Sequence, residues 1–356
     1  MTQETPEDLV KLLSHRPRDF LEGMIPVDDC PITPVVIQRP SMRSSGKLNV
    51  LPLELLHYTF NNLDFQSLSR LSRVSLQNKD AVESLPAFQD LIQYAPHALR
   101  ALSKINLLSL HSAVLLRSTL KSQSCISCRE FGPYLFLPTC ERCCFQCLCF
   151  NQSLWVVPVK FAQECFNIPP RELKKIPIMR GIPGRYKVGL QIERRRYEKL
   201  VSVRTAKEFG LQINGSTPRS ILPYHLSASE LRKTQAMNWY RDAPLSPLPA
   251  NPSTLPTIRN SRKDNFCGMA STIFPSLLPD NTLDYGRWCR GCEWMYKHPN
   301  KNTWLTIHLR NELVPSRCDP HYVFLGKYRR ARSTSDFLAH VTECYGVGQL
   351  VSLTPE

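Results

Sequence analysis

Apolar residues fall into a clear helical period from residue 48 onwards. Leu53, Leu56, Phe60 and Leu63 recur at i, i+3, i+7 and i+10, with Leu55 beside them, which is one face of a helix. Pro52 suits a first helical turn, where its missing N–H costs nothing. Asp64 can cap a second helix carrying Leu68, Leu71 and Val74. Ala81, Val82 and Leu85 mark a third, from about Gln77 to Ser84. Helical signal continues through Phe88, Leu91 and Ile92, through Leu99 and Leu102, and between Leu107 and Leu120. The remainder is irregular. Residues 1–46 hold six prolines and a Ser/Gly-rich stretch and read as a disordered tail, with room for a short helix near 6–14. Beyond Cys125 short strands and loops are expected, with Tyr134–Leu137 as a strand and Gly181–Gly184 as a turn. Ser227 and Glu230 form a capping-box pattern, and the Pro-rich run 243–257 reads as linker.

Composition adds charge and sulfur to this picture. The 356 residues carry a formal charge of +15 and include 29 prolines and 14 cysteines. Eleven Lys/Arg against three Asp/Glu lie between Arg171 and Arg204, a net +8. Such a stretch is expected to be a solvated connector, or a binder of nucleic acid, acidic protein surfaces or anionic lipid. The opening residues have no apolar h-region, and no run is long enough to span a membrane. The expected location is therefore the cytoplasm and/or nucleus. Thiols stay reduced there, so 14 cysteines point to metal coordination.

The cysteine spacing supports that. Cys125-x2-Cys128 is followed by Cys140-x2-Cys143 and the overlapping Cys144-x2-Cys147. Paired knuckles of this kind hold structural zinc in a tetrahedral site. Cys125, Cys128, Cys144 and Cys147 form one reading; Cys140 and Cys143 are the alternative second pair. Further on, Cys289-Arg-Gly-Cys292 is a tight knuckle, and His340 and Cys344 stand at i and i+4, one helical face. Together they make a C2HC site, with Cys318, His321, His298 and His308 as rivals nearby. Two structural Zn2+ ions are expected. No P-loop, Gly-x-Gly-x-x-Gly, Gly-x-Ser-x-Gly or His-Glu-x-x-His is present, and both sites would be closed by four side chains. A non-catalytic role is expected.

The segment LNVLPLELLHYTFNNLDFQSLSRLSRVS resembles the F-box. The residues that carry the likeness are Leu51, Pro52, Glu54, Leu55, Leu56, Phe60, Leu63, Asp64, Ser67, Leu68, Leu71 and Val74. It departs at Asn78, where many F-boxes have Trp. The resemblance implies docking to the Skp-type adaptor of an SCF ubiquitin ligase, and through it to a cullin, with Leu51, Pro52, Leu55, Leu56, Leu68 and Val74 as contacts. Together with Leu135–Cys144, Ile182–Tyr186, Trp288–Cys292 and Phe337–Val341, the order of motifs is similar to a group of filamentous-fungal F-box proteins with a Cys-rich body.

The expected fold is mainly α with small zinc-stapled β/loop modules (α+β). The expected layout is a tail at 1–46, a three-helix F-box at 47–90 and a helical extension with a Cys-rich zinc module at 91–170. A basic and Pro-rich connector at 171–257 and a C-terminal zinc-stapled domain at 258–356 follow. The expected function is a substrate-receptor or adaptor subunit that binds a protein target through its body. The alternative is a zinc-containing nucleic-acid-binding regulator, suggested by Arg194–Arg196 and Lys327–Arg330.

Overall fold

Prolines and capping side chains set most helix starts in the structure, a computed structural model. It describes residues 5–17, 24–27, 48, 50–188, 190–216, 227–242, 245, 266, 268–298, 305–316 and 318–353. Helix α1 (Pro6–Leu13) has a Thr5/Asp8 capping box and runs into strand β1 (Ser14–His15). Helices α2 (Leu53–Asn61), α3 (Phe65–Leu71) and α4 (Leu76–Glu83) follow. Asp64 caps α3 as expected, accepting from the Ser67 N–H at 2.8 Å, and Ser75 caps α4. Pro86 and Pro96 open α5 (Pro86–Tyr94) and α6 (Pro96–Lys104), and Ser112 caps α7 (Ala113–Lys121).

Short strands and helices follow. Strands β2 (Tyr134–Phe136) and β3 (Glu141–Cys143) precede α8 (Phe145–Phe150), β4 (Val156–Pro158) and α9 (Val159–Phe166). A 3₁₀ turn (Pro170–Lys175) leads to β5 (Met179–Gly181), the hairpin β6 (Gly184–Val188) and β7 (Leu190–Arg194), and β8 (Glu198–Ser202). Helices α10 (Val203–Asn214) and α11 (Ala228–Arg241) come next; α11 starts at the expected Ser227/Glu230 capping box. Four short strands, β9 (Ser271–Ile273), β10 (Ser276–Leu277), β11 (Leu283–Asp284) and β12 (Trp288–Cys289), lead into the last helices. These are α12 (Arg290–Lys297), α13 (Ile307–Leu313), α14 (Pro320–Arg329), α15 (Thr334–Glu343) and α16 (Tyr345–Leu353).

One core runs from the α2–α4 unit to the strands near residue 277. It takes Leu56, Phe60, Leu68, Leu91, Leu102 and Leu116 from the helices, Tyr134 and Phe136 from β2, and Phe274 and Leu277 from the later strands. The antiparallel sheet β3–β2–β9 crosses the expected boundary between extension and C-terminal domain, since Leu135 pairs with Thr272. Burying one continuous apolar surface is worth more than burying two small ones, which is why the modules at 47–90, 91–170 and 258–356 do not separate cleanly. Arg142 sits in the middle of this joint, buried, donating to the carbonyls of Thr119, Gly132, Phe274 and Pro275.

Two expectations are corrected. Part of the 171–257 region is folded: β8 lies between β4 and β5, and Ile176, Val201 and Val203 join Trp155, Phe166 and Met237 in a second core. Residues 246–257 lie outside the described residues. The tail at 1–46 is also ordered in part. Leu13 joins a third core with Phe324, Phe337 and Val341, and Ser14 pairs with Cys289. Met24 and Ile25 enter the main core, with the Ile25 N–H donating to the Ser271 carbonyl at 3.3 Å. In both regions short apolar stretches find tertiary partners, and burial then outweighs a polar average composition. Residues 28–47 lie outside the described residues.

Candidate docking face and metal centres

Helix α2 has two apolar sides. Leu56 (4% exposed) and Phe60 turn inward, Leu55 (52%) and Tyr58 (75%) turn outward, and Leu53 is exposed in the first turn. Val50, Leu51 and Pro52 lead into the same helix and are exposed, and Val74 (61%) stands out beyond the end of α3. Of the six expected contacts, Leu51, Pro52, Leu55 and Val74 are thus presented to solvent. Leu56 and Leu68 are not: both are sealed in the core, Leu68 completely, where they brace the unit. Val74 was expected on the second helix; α3 ends at Leu71, and the Val74 N–H bonds the Leu71 carbonyl in the turn that follows. Val50, Leu53 and Tyr58 join the exposed set unforeseen, because spacing alone does not say which of two apolar sides a small unit keeps. Asn78, at the departure from the F-box pattern, is buried near the start of α4, its N–H held by Ser75 Oγ at 3.1 Å.

The first cysteine cluster gathers Cys125, Cys128, Cys144 and Cys147, with their sulfurs within 4.8 Å of one another. Its first pair sits on a tight turn: the Cys125 N–H bonds the Glu130 carbonyl, and Arg129 takes a left-handed φ of 66°. Its second pair opens α8, with Cys144 as cap and the Cys147 N–H donating to Cys144 Sγ at 3.4 Å. The alternative pair is left out. Cys140 is buried, and its carbonyl and sulfur meet the Thr119 hydroxyl; burial pushes its thiol up to about 12. Cys143 is buried deeper, and burial raises its thiol well above the ordinary range. Both are core thiols flanking Arg142.

The second cluster joins Cys289 and Cys292, at the start of α12, to His340 on α15 and Cys344 just after it. Cys292 Sγ lies 3.3 Å from His340 Nε2 and 4.0 Å from Cys344 Sγ; Cys289 and Cys344 are 3.8 Å apart. The rivals lie elsewhere. His298 lies tilted against Trp294, His321 lies tilted against Tyr296, and Cys318 and His308 join neither cluster. A residue missed from sequence is Gly346. A methyl group there would overlap the Gly291 carbonyl, and one at Gly291 would strike the backbone of Val347. Helices α12 and α16 therefore touch backbone to backbone, which brings Cys344 up to the Cys289–Cys292 knuckle.

The donor sets fit zinc. Bonds of about 2.3 Å at tetrahedral angles place sulfurs about 3.8 Å apart. The 3.6 Å between Cys128 and Cys144, and the 3.8 and 4.0 Å of the second cluster, match that separation. Hydrogen bonds among the sulfurs, from Cys128 first, hold Cys125 well below the ordinary thiol range. Hydrogen bonding with Cys125 drives Cys144 and Cys147 upward. In the second cluster Cys344 is the thiol held down, mainly by Cys289. Sulfurs this close repel as thiolates and stay together only around protons or a cation. Four side chains close each set, the pattern of a structural metal and not of one that keeps a position open for a substrate.

No helix among the described residues is long and apolar enough to cross a membrane. Residues 48–89 match the family model of the F-box domain. No curated protein and no solved structure matches the chain. F-box domains bind Skp-type adaptors in SCF ubiquitin ligases, and the proteins that carry them are typically non-catalytic subunits.

Proposed function

We propose that this F-box domain-containing protein is the substrate receptor of an SCF-type ubiquitin ligase: the outward side of α2 docks the Skp-type adaptor, and the zinc-braced body holds a protein target. The observation that carries this reading is the exposure of Leu53, Leu55, Tyr58 and Val74 on the one segment that matches the F-box. Large apolar side chains left uncovered on a small helical unit mark a partner surface. The body contributes rigidity. The F-box helices share their core with the cysteine module, so a target held by the body would be kept at a fixed distance from the adaptor. Rate acceleration in such an assembly comes from proximity, and the chain itself performs no chemistry. In this reading the clusters would hold one Zn2+ each. Its role would be to tie loop to helix in the first cluster, and knuckle to helix in the second. The protein would work in a reducing compartment, the cytoplasm or nucleus, where the thiols stay available to metal.

The test separates the two sides of α2. Leu55→Asp changes an exposed residue and should abolish capture of purified adaptor while leaving circular dichroism unchanged. Leu56→Asp buries a charge and should unfold the F-box itself, by about 3–5 kcal/mol or more. Full adaptor capture by folded Leu55→Asp protein would overturn the assignment.

The nucleic-acid reading has less support. Within Lys327–Arg330, Lys327 donates to the Leu313 carbonyl, Arg329 lies over the Phe145 ring and Arg330 pairs with Glu130. These cations are engaged inside the protein.

A further inference from the structure

The sheet β4–β8–β5 is covered at one end and open at the other. Val157 and Val201 pair across β4 and β8 and face the Trp155 core. Two residues back along β8, on the same face, stands Lys199, directly opposite Arg180 of β5. Both are exposed, whereas Leu200 and Met179 on the other face are buried. The Arg180 guanidinium lies 3.8 Å over the ring of Tyr197, which is 61% exposed. Arg195 and Arg196, also exposed, lead directly into Tyr197. Arg171 and Lys174 add to the charge: they are exposed on the 3₁₀ turn whose Leu173 packs against the Trp155 core. Among the described residues none of these six cations has an ion-pair partner, although Lys175, Arg204 and Lys233 nearby are paired with Glu172, Glu141 and Glu164.

From this face we infer the chemistry of the target, an inference that rests on the substrate-receptor reading: the Arg180–Lys199 sheet end receives an acidic protein segment, with clustered carboxylates against the unpaired cations. Folding gains nothing from six uncompensated charges, whereas guanidinium groups give bidentate bonds to carboxylates, and that of Arg180 is held over the Tyr197 ring. The partner is gripped by side chains and does not add a strand, because the outer edge of β5 is taken: the Arg180 N–H donates to the Ile105 carbonyl at 2.9 Å. Carboxylates break the basic field on either side. Glu172 pairs with Lys175, Glu193 stands opposite Arg185, and Glu198 stands next to Lys199. A patch interrupted by carboxylates suits a short acidic segment better than a nucleic-acid strand, whose binding is dominated by contacts to its phosphates.

The full-length protein is titrated with a short fluorescein-labelled polyglutamate peptide, followed by anisotropy. Competition with oligothymidylate and adaptor capture are measured on the same preparations. The double variant Arg180→Glu/Lys199→Glu should lose about tenfold or more in peptide affinity. Lys121→Gln/Lys79→Gln, which removes two exposed cations elsewhere, should lose far less. Added salt should weaken the wild-type complex steeply. Both substituted positions are exposed, so adaptor capture should be unchanged and serves as the fold check; Arg180→Gln/Lys199→Gln repeats the measurement without new negative charge. Equal peptide affinity in wild type and double variant overturns the inference, as does oligothymidylate displacing the peptide at lower concentration than polyglutamate itself. Loss of adaptor capture by wild type, with peptide binding intact, would instead strike at the ligase reading and leave the acidic-segment site standing.

Discussion

Arg142 shows how much a single residue can hold in this protein. Its guanidinium is buried, crosses the ring of Phe274 and bonds carbonyls from the end of α7, the loop before β2 and the loop after β9. Gly132 leaves the space it needs, since a methyl group there would sit against Arg142 Cγ. Burial pushes its pKa down to about 9, so it is still charged at neutral pH. Replacement by Met would leave several buried carbonyls without a donor, and we expect a loss of about 3–5 kcal/mol in urea-unfolding stability. Lys, with one compact ammonium, cannot span three segments and should recover less than half of it. In the sequence Arg142 is one more cation between two cysteines; nothing local reveals that three chain segments converge there. The same limit applies to Leu55 and Leu56. Their helical period was legible, but which of two neighbours faces the core depends on α4 and α5 packing behind them.

At the level of elements, the signals that worked were short-range ones. Asp64 and Ser227 both start helices where their side chains foretell it, because capping is settled within four residues. The Cys-x2-Cys pairs and the His340/Cys344 pair were legible for the same reason, while the meeting of one pair with the other is made by the fold. The basic region was misread because strands of three to five residues, such as β5 and β8, hide their buried positions among Lys and Arg. The contact between α12 and α16 was invisible too, since Gly291 and Gly346 are 55 residues apart and meet only in the fold. That contact carries a prediction. Gly346→Ala should force the two helices apart and lower bound zinc from two ions per chain to one, read by mass spectrometry of metals. Cys128→Ser should remove the other ion and spare the C2HC site. A Gly346→Ala protein that keeps both ions would show that Cys344 reaches the knuckle without that close approach.

For the whole molecule, the shared core makes the first cysteine cluster and the α2–α4 unit one mechanical unit. Cys125, Cys143 and Cys147 pack in the same core as Leu68, Leu91 and Leu116. Chelation of zinc should therefore raise deuterium uptake in α5 and α7 as well as in the cysteine loops, and weaken adaptor capture although no docking residue is touched. Unchanged capture by metal-stripped protein would mean that the α2–α4 unit stands on its own.

The short pairing of β1 with β12 bears on the order of events during synthesis. Arg290 Nε reaches the Ser14 carbonyl across 276 positions of sequence, and Leu13 finds its shelter only among residues beyond 288. Translation delivers Ser14 first and its partner strand last, so the nascent polypeptide must wait with Leu9, Val10 and Leu13 bare while the α2–α4 helices are already outside the ribosome. A transcript cut short before Trp288 would release a product with an unhealed sticky patch, the kind of surface that chaperones and proteases seize.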